Sequence, residues 1–538
     1  MADVDYVIIG SGFGGSVSAL RLAEKGYSVR VLEAGKRLAG KDFPSTNWKF
    51  WKFLWAPKLF CYGIQRLTLL KDVLILSGAG VGGGSLVYAN TSLIPPEHIF
   101  ASKDWPAGVD WFAELAPYYQ LARRMLGIRP TPGLFASDKV LKSYAKDIGR
   151  EDTFHSTQVA VYFGEAGVTK KDPFFNGEGP DRTGCVLCGG CMVGCQHNSK
   201  NTLDKNYLYL AEKRGTEIVP ETLVTGIEPH PAGGYLVHTE RSTSLLFKSR
   251  KTIHAGGVVL AAGALGSTRL LLECKDRGTL PRVSDCVGDY VRTNSEALVG
   301  VRANDDKVDY STGIAITSGI FVSNDTHIEV VRYPRGSDLM GLLATLLVDQ
   351  GTRITRPLKW LATVVTHPWE WLQALFPFGW ARRSIILLVM QTLDNSIRLK
   401  LARPWWWPFT KRMTTTTAAG EVVPAYIPAA NAAAKAMASK ISGRPMSSTN
   451  EVLLNVATTA HILGGCKMGS SPADGVIDKD QRLFGYDNFF VIDGSSIPTN
   501  LGVNPSLTIT ALAEHAMAQL PDREGVALPP KVQLSEHD

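Results

Sequence analysis

The sequence predicts an α/β protein: a Rossmann-type dinucleotide-binding domain joined to a second domain built on a β-sheet with covering helices. Three observations point there. The chain opens on a βαβ unit with a glycine fingerprint. It is 538 residues long, more than a single hydrophobic core organises. Its stretch from about 297 to 450 lacks the nucleotide-binding signals that flank it on both sides.

The fingerprint comes first. Tyr6 to Ile9 read as a buried apolar strand, Gly10-x-Gly12-x-x-Gly15 follows, and Val17, Leu20 and Leu22 give a helix its apolar face. "YSVRVLEAG" is the second strand. Gly10 permits the tight turn, Gly12 lets the backbone approach a pyrophosphate, and Gly15 lets the helix pack close to the strand, with the helix N-terminus facing the anion. Glu33 ends the second strand, where a carboxylate takes ribose hydroxyls. Ala34-Gly35 behind it favour FAD over NAD.

Composition excludes some classes. With 45% apolar and 20% charged residues the chain is an ordinary globular protein, and its 52 glycines gather in short motifs. The net charge of +7 comes without a lysine- or arginine-rich run, so no nucleic-acid partner is expected. "MADVDYVIIG" passes from the first methionine directly into a strand, and a charge-free apolar run of about 18 residues is missing. The expectation is a cytoplasmic chain without a signal peptide, or one peripheral on a membrane face. The second option draws on two aromatic patches, "NWKFWKFLWAPKLF" (47–60) and a helical segment at about 337–385. In the latter, Trp360, Trp369, Trp371 and Trp380 stand among Lys359, Arg382 and Arg383, as on an interfacial surface. A buried core or a lid over a channel is the other reading, and Pro368 and Pro377 oppose a spanning helix.

Cys185, Cys188, Cys191 and Cys195 follow C-x2-C-x2-C-x3-C, the run that bacterial ferredoxins use for a cluster. Eight cysteines are too few for a disulfide scaffold at this length. Gly189, Gly190 and Gly194 allow the turns a cluster requires. Gln196 stands where ferredoxins have proline, and a second run for the fourth cysteine to serve is missing. An iron–sulfur cluster, a four-thiolate zinc site, and free or disulfide-bonded thiols therefore stay open. A cluster would pass electrons singly to a partner carrier; without one, oxygen or a direct acceptor takes them. Cys61, Cys274, Cys286 and Cys466 are scattered and read as buried hydrophobes.

Three further stretches share one order: "GAGVGGGSLVYANT" (78–91), "VVLAAGALGSTRLLL" (258–272), and "HILGGCKMG" with "FFVIDGSSIPTNLGVNPSLTITALAEHA" (461–516). With the fingerprint they make the chain similar to the glucose–methanol–choline family of FAD-dependent oxidoreductases from residue 5 to about 517, nearest its bacterial cholesterol-oxidase-like branch. Gly82, Gly83, Gly84 and Ser85 would form a wall without side chains for the isoalloxazine ring. Tyr88, Ala89 and Asn90 stand where some members attach the flavin through histidine, which implies a non-covalent FAD. The resemblance also implies that the Val224 backbone meets the adenine. Ala262 and Gly263 would approach the dinucleotide closely, and Asp493-Gly494 would contact the ribityl or pyrophosphate. The FAD domain is then discontinuous, 1–296 together with 451–538, with a lid at about 40–75 and a Cys-rich insert at 183–200. Residues 297–450 form the substrate domain.

His461 and Asn504 match the family's His/Asn pair. Flavin oxidation of an alcohol requires a proton removed while a hydride moves to flavin N5. His461 would be base or orienting group, Asn504 would hold the alcohol oxygen, and Pro505 would fix the turn that aims it. Cholesterol oxidases also carry a carboxylate for double-bond isomerisation; the nearest match is Asp338 in "YPRGSDLMGLL", which alone reads as a helix N-terminal aspartate. The expected activity is oxidation of a bulky apolar alcohol, a 3-hydroxysteroid or long-chain alcohol. A flavin desaturase without need of the His461/Asn504 pair, and a non-catalytic FAD/iron–sulfur electron-transfer subunit, are the alternatives.

Overall fold

Two seven-stranded sheets organise the chain. The computed structural model describes residues 2–245, 247–404, 407, 409–418 and 423–535. Residues 1, 246 and 536–538 of the expected FAD domain, and 405, 406, 408 and 419–422 of the expected substrate domain, lie outside the described residues.

In the first sheet Val4–Ile9 runs parallel between Val29–Leu32 and the second half of the long strand Arg250–Leu260. Glu217–Val219 extends the sheet beyond Val29–Leu32. The first half of Arg250–Leu260 instead pairs antiparallel with Tyr235–Arg241, which turns back as Thr222–Pro229. Phe489–Val491 adds in parallel at the far end of Arg250–Leu260. The parallel strands are covered on both faces and so read as continuous apolar runs: Val7, Ile8 and Ile9, and Val258, Val259 and Leu260, are all buried. Helix Phe13–Glu24 packs on helix Ser506–Ala518. The latter is buried nearly all round, and the buried polar residues it carries find partners, Glu514 with Arg21 and Tyr207, Thr508 with Tyr119.

The second sheet is antiparallel, in the order Ala344–Leu346, Gly443–Ser448, Ala297–Ala303, Ser384–Gln391, Thr326–Val331, Ile316–Ser323, His155–Ser156. Alternation divides it. Val299, Val301, Leu387, Val389, Ile328 and Val330 pack with residues of helices Ala136–Asp147 and Pro428–Lys440. The residues between them, among them Leu298, Gly300, Ile386 and Leu388, face a cavity toward the first sheet. A strand such as "SIILLVMQ" is thus apolar on both faces because both are covered.

The structure departs from the sequence reading in two places. Helix Ala136–Asp147 and strand His155–Ser156, assigned above to the 1–296 block, belong to the second sheet and its cover. Trp380 is not interfacial: it is 6% exposed and walls the cavity. The other three tryptophans of the segment lie on two short helices, Thr355–Thr366 and Pro368–Leu375.

Candidate active site

A cavity of about 1580 Å³ runs from the glycine fingerprint to the face of the second sheet. Gly10, Gly12, Glu33, Val224, Ala262 and Gly263 line its nucleotide end. Gly10 has φ +103°, and a Cβ there would stand 2.3 Å from the Ala261 carbonyl oxygen. A Cβ on Gly12 meets nothing within 4 Å, so the space beside it is open for a ligand. The helix starting at Phe13 has no side-chain cap and no acidic residue in its first turn, which leaves its N–H groups to an anion. Arg66 and Arg269 add positive charge to the lining. These residues fit the pyrophosphate of a dinucleotide.

Glu33 lines the cavity and also braces the fingerprint. Its carboxylate accepts from the Ser11 N–H (3.1 Å) and hydroxyl (2.7 Å), and from the N–H groups of Gly35 (2.7 Å) and Gly80 (3.3 Å). Asp493 lines the cavity with Gly494. It accepts from Gly263 N–H (2.9 Å), the Ser267 hydroxyl (2.5 Å) and Ser495 N–H (2.8 Å), tying two loops together. Burial raises its pKa against those donors.

Gly83 and Gly84 are cavity wall, with Tyr88 and Ala89 beyond them. Four expected cofactor residues act behind the wall instead. Gly15 packs its helix against Gly10, whose carbonyl oxygen a Cβ would meet at 2.0 Å. Gly82 adopts φ +107° and its carbonyl accepts from the Ser85 hydroxyl at 2.6 Å, so these two shape the turn. Asn90 is fully buried beside Cys191.

At the reactive end His461, Asn504 and Pro505 come together. His461 Nδ1 donates to Glu296 Oε1, a carboxylate that also accepts from Ala460 N–H at 2.8 Å. That bond fixes the tautomer and leaves Nε2 as the basic nitrogen. Burial pulls the His461 pKa down, but the charge and hydrogen bond of Glu296, with Glu329 behind, outweigh it, and the net shift is upward. Asn504 Nδ2 donates to Glu329 Oε2 at 3.1 Å. Two buried atoms here have no partner, Asn504 Oδ1 and Glu329 Oε1. Burial lifts the Glu329 pKa to about 7, against the pull of Asn504 and His461.

Asp338 is a correction. It does not line the cavity: its carboxylate accepts from Gly379 N–H (2.9 Å) and Ala381 N–H (2.8 Å), capping the turn that carries Trp380. Glu329 is the substrate-sheet carboxylate at the site. The sequence reading passed over it and Glu296, although a glutamate inside the apolar strand "THIEVV" was a signal. A carboxylate survives in a doubly covered strand only with a partner or a purpose.

The four clustered cysteines line a second cavity of about 300 Å³. All eight cysteines are unpaired thiols. Among the described residues no three His, Cys, Asp or Glu are placed to hold one metal ion. A zinc ion holding each sulfur at about 2.3 Å does not match that placement.

Comparison with known proteins extends this picture. A family model for FAD-dependent oxidoreductases matches residues 5–322, and one for GMC oxidoreductases matches residues 405–513. The chain is 46% identical over 528 residues to a cholesterol oxidase of Acinetobacter baumannii, covering 96% of this chain and 94% of that one. It is 47% identical over 538 residues to a cholesterol oxidase of Mycobacterium tuberculosis, covering 97% and 92%. The crystal structure of pyridoxine 4-oxidase from Mesorbium loti shares the fold, with a TM-score of 0.62 at 16% identity over 96% of this chain and 99% of that one. The chain therefore belongs to the glucose–methanol–choline family, on its cholesterol-oxidase-like branch, and is an FAD-dependent alcohol oxidoreductase.

Proposed function

We propose that the enzyme oxidises the hydroxyl of a 3-hydroxysteroid to the carbonyl, using non-covalent FAD. The observation that carries this reading is the apolar continuation of the cavity beyond His461 and Asn504. There Leu298, Ile386, Leu388, Tyr333, Met340 and Trp380 offer a wall for a rigid hydrocarbon body. The identity to two cholesterol oxidases supports it. Bound FAD supplies the hydride acceptor. His461 Nε2 takes the hydroxyl proton, and the cation formed is held by Glu296. Asn504 orients the alcohol oxygen with the hydrogen-bonding capacity Glu329 leaves over. Glu329, which meets the site through Asn504, takes the proton-moving role on the steroid ring in this reading, in place of Asp338. Oxygen is the acceptor that the relatives' names support; a one-electron carrier, reached through the cysteine site, is a second.

The same reading gives the enzyme a peripheral position on a membrane face, where such an alcohol dissolves. Helix Thr355–Thr366 is inverted: Arg356 is buried while Leu358, Leu361 and Val365 are exposed, and Trp369, Leu372 and Leu375 continue that surface. Leu59 and Leu343 are both exposed and part of the cavity lining, so this apolar surface reaches its mouth. Among the described residues no helix is long and apolar enough to cross a membrane.

The test is substrate-dependent flavin bleaching without oxygen. A 3β-hydroxysteroid should reduce the flavin at least tenfold faster than a long-chain primary alcohol at equal concentration. The reverse order would overturn the steroid assignment.

A further inference from the structure

The cysteine run makes a site that alcohol oxidation does not use. Its loop is bent into a cup by residues of positive φ, Leu187 (+55°), Gly189 (+72°) and Gly194 (+88°). A turn at Gly190–Val193 carries Cys191 inward. All four thiols line the 300 Å³ cavity. One of the sulfurs accepts a backbone N–H donor, Cys185 from Leu187 at 3.4 Å. Such a donor favours sulfur that carries charge.

Charge at the site points the same way. Arg182, Lys200 and Arg332 are all buried, and each faces Cys191 or Cys195. Lys200 Nζ donates only to the carbonyls of Leu86 (3.0 Å), Tyr88 (2.8 Å) and Cys191 (2.8 Å). Two carboxylates, Asp204 and Asp138, face these three cations. Arg332 Nε is buried without a partner. Buried charge in excess is costly unless balanced, and neutral thiols do not balance it. We propose that Cys185, Cys188, Cys191 and Cys195 hold an iron–sulfur cluster as thiolates, whose net negative charge the three cations offset. The four cysteines line one cavity, the arrangement a polynuclear core requires.

The position suits a relay. Cys191 lines the small cavity and the next residue, Met192, lines the flavin cavity, so one peptide unit separates the two. Cys188 is the exposed member on the far side. Oxidation of one alcohol removes a hydride and a proton. The hydride's two electrons leave singly through this site to two molecules of a one-electron carrier of the ferredoxin or cytochrome class, which are reduced, and its proton passes to solvent. The inference rests on the FAD-dependent oxidoreductase assignment and not on the steroid.

The experiment is iron, acid-labile sulfide and FAD content of the full chain, purified without oxygen and reconstituted with ferrous iron and sulfide. It is repeated for Cys191→Ala and Cys188→Ser. About three to four irons per FAD, with matching sulfide and a paramagnetic signal after dithionite, are expected. The variants should lose that iron and signal while keeping FAD. FAD without iron or sulfide in the reconstituted wild type would overturn the proposal, and so would unchanged iron in FAD-containing variants. If the variants lose FAD, the wild-type ratio decides. Dye-linked steroid oxidation, measured in parallel, reports the function reading separately.

Discussion

The two ends of the large cavity are built on opposite plans. At the nucleotide end the protein's own carboxylates are satisfied: four donors converge on Glu33 and three on Asp493. What is offered to a ligand there is shape, the open space at Gly12 and an uncapped helix. At the reactive end the shape is apolar wall, and the polar atoms are incomplete, with Asn504 Oδ1 and Glu329 Oε1 buried and unpaired. One end is a finished mould; the other is completed by the reactant. Since an unpaired buried polar atom costs about 1–3 kcal/mol, the second plan persists only where a ligand restores the bonds.

The largest effect that would sharpen this contrast comes from the mould. Gly12→Val should abolish FAD binding and all activity while leaving the fold intact, because its backbone is extended (φ −73°, ψ −165°) and its Cβ position is clear. Gly14→Val should instead prevent folding, since a Cβ there stands 1.7 Å from the Ile492 carbonyl oxygen. FAD absorbance and thermal melting of the purified variants separate the two outcomes. Retained FAD in Gly12→Val would break the comparison at this end.

Next in size is Glu296→Gln, which keeps an acceptor for His461 Nδ1 but removes its charge. His461 must be neutral to take a proton, so activity falls as pH drops through its pKa. Glu296 raises that pKa; without it the acidic limb of the kcat profile should move to lower pH, with kcat reduced about tenfold, less than the ~10²–10⁴-fold that a proton-transfer group itself supplies. An unmoved limb would show that Glu296 does not govern His461. Glu329→Gln should have a smaller effect on oxidation. It removes a carboxyl that is neutral below its pKa of about 7 and ionised above it. The profile should lose that titration, and steroid double-bond isomerisation should stop. The smallest effect on turnover is expected for Asp338→Asn. Losing one carboxylate acceptor for a backbone N–H at the Trp380 turn should cost about 1 kcal/mol of stability, read as a lower Tm, with kcat unchanged.

The same contrast explains what was legible in the sequence. Gly10, Gly12 and Glu33 were readable because they form one local βαβ unit, where residue type and spacing are dictated by backbone geometry. His461 and Asn504 were readable through the resemblance that their surrounding stretches carry. Glu296 and Glu329 were not, because they reach the site from the second sheet, distant in sequence, Glu296 from just before strand Ala297–Ala303 and Glu329 from within Thr326–Val331, and only sheet register brings Glu329 to Asn504. Asp338 was misplaced for a related reason: a helix N-terminal aspartate looks the same in sequence whether it faces a substrate or caps a turn. Trp380 shows the limit of composition, since it stands among exposed aromatics yet is itself cavity wall.

The central claim is that the reactive end acts through His461. Anaerobic mixing of the FAD-loaded His461→Ala variant with a 3β-hydroxysteroid, followed by flavin bleaching, tests it most directly. The account predicts a rate lower by about 10²–10⁴-fold with FAD content unchanged. Bleaching at the wild-type rate would contradict it.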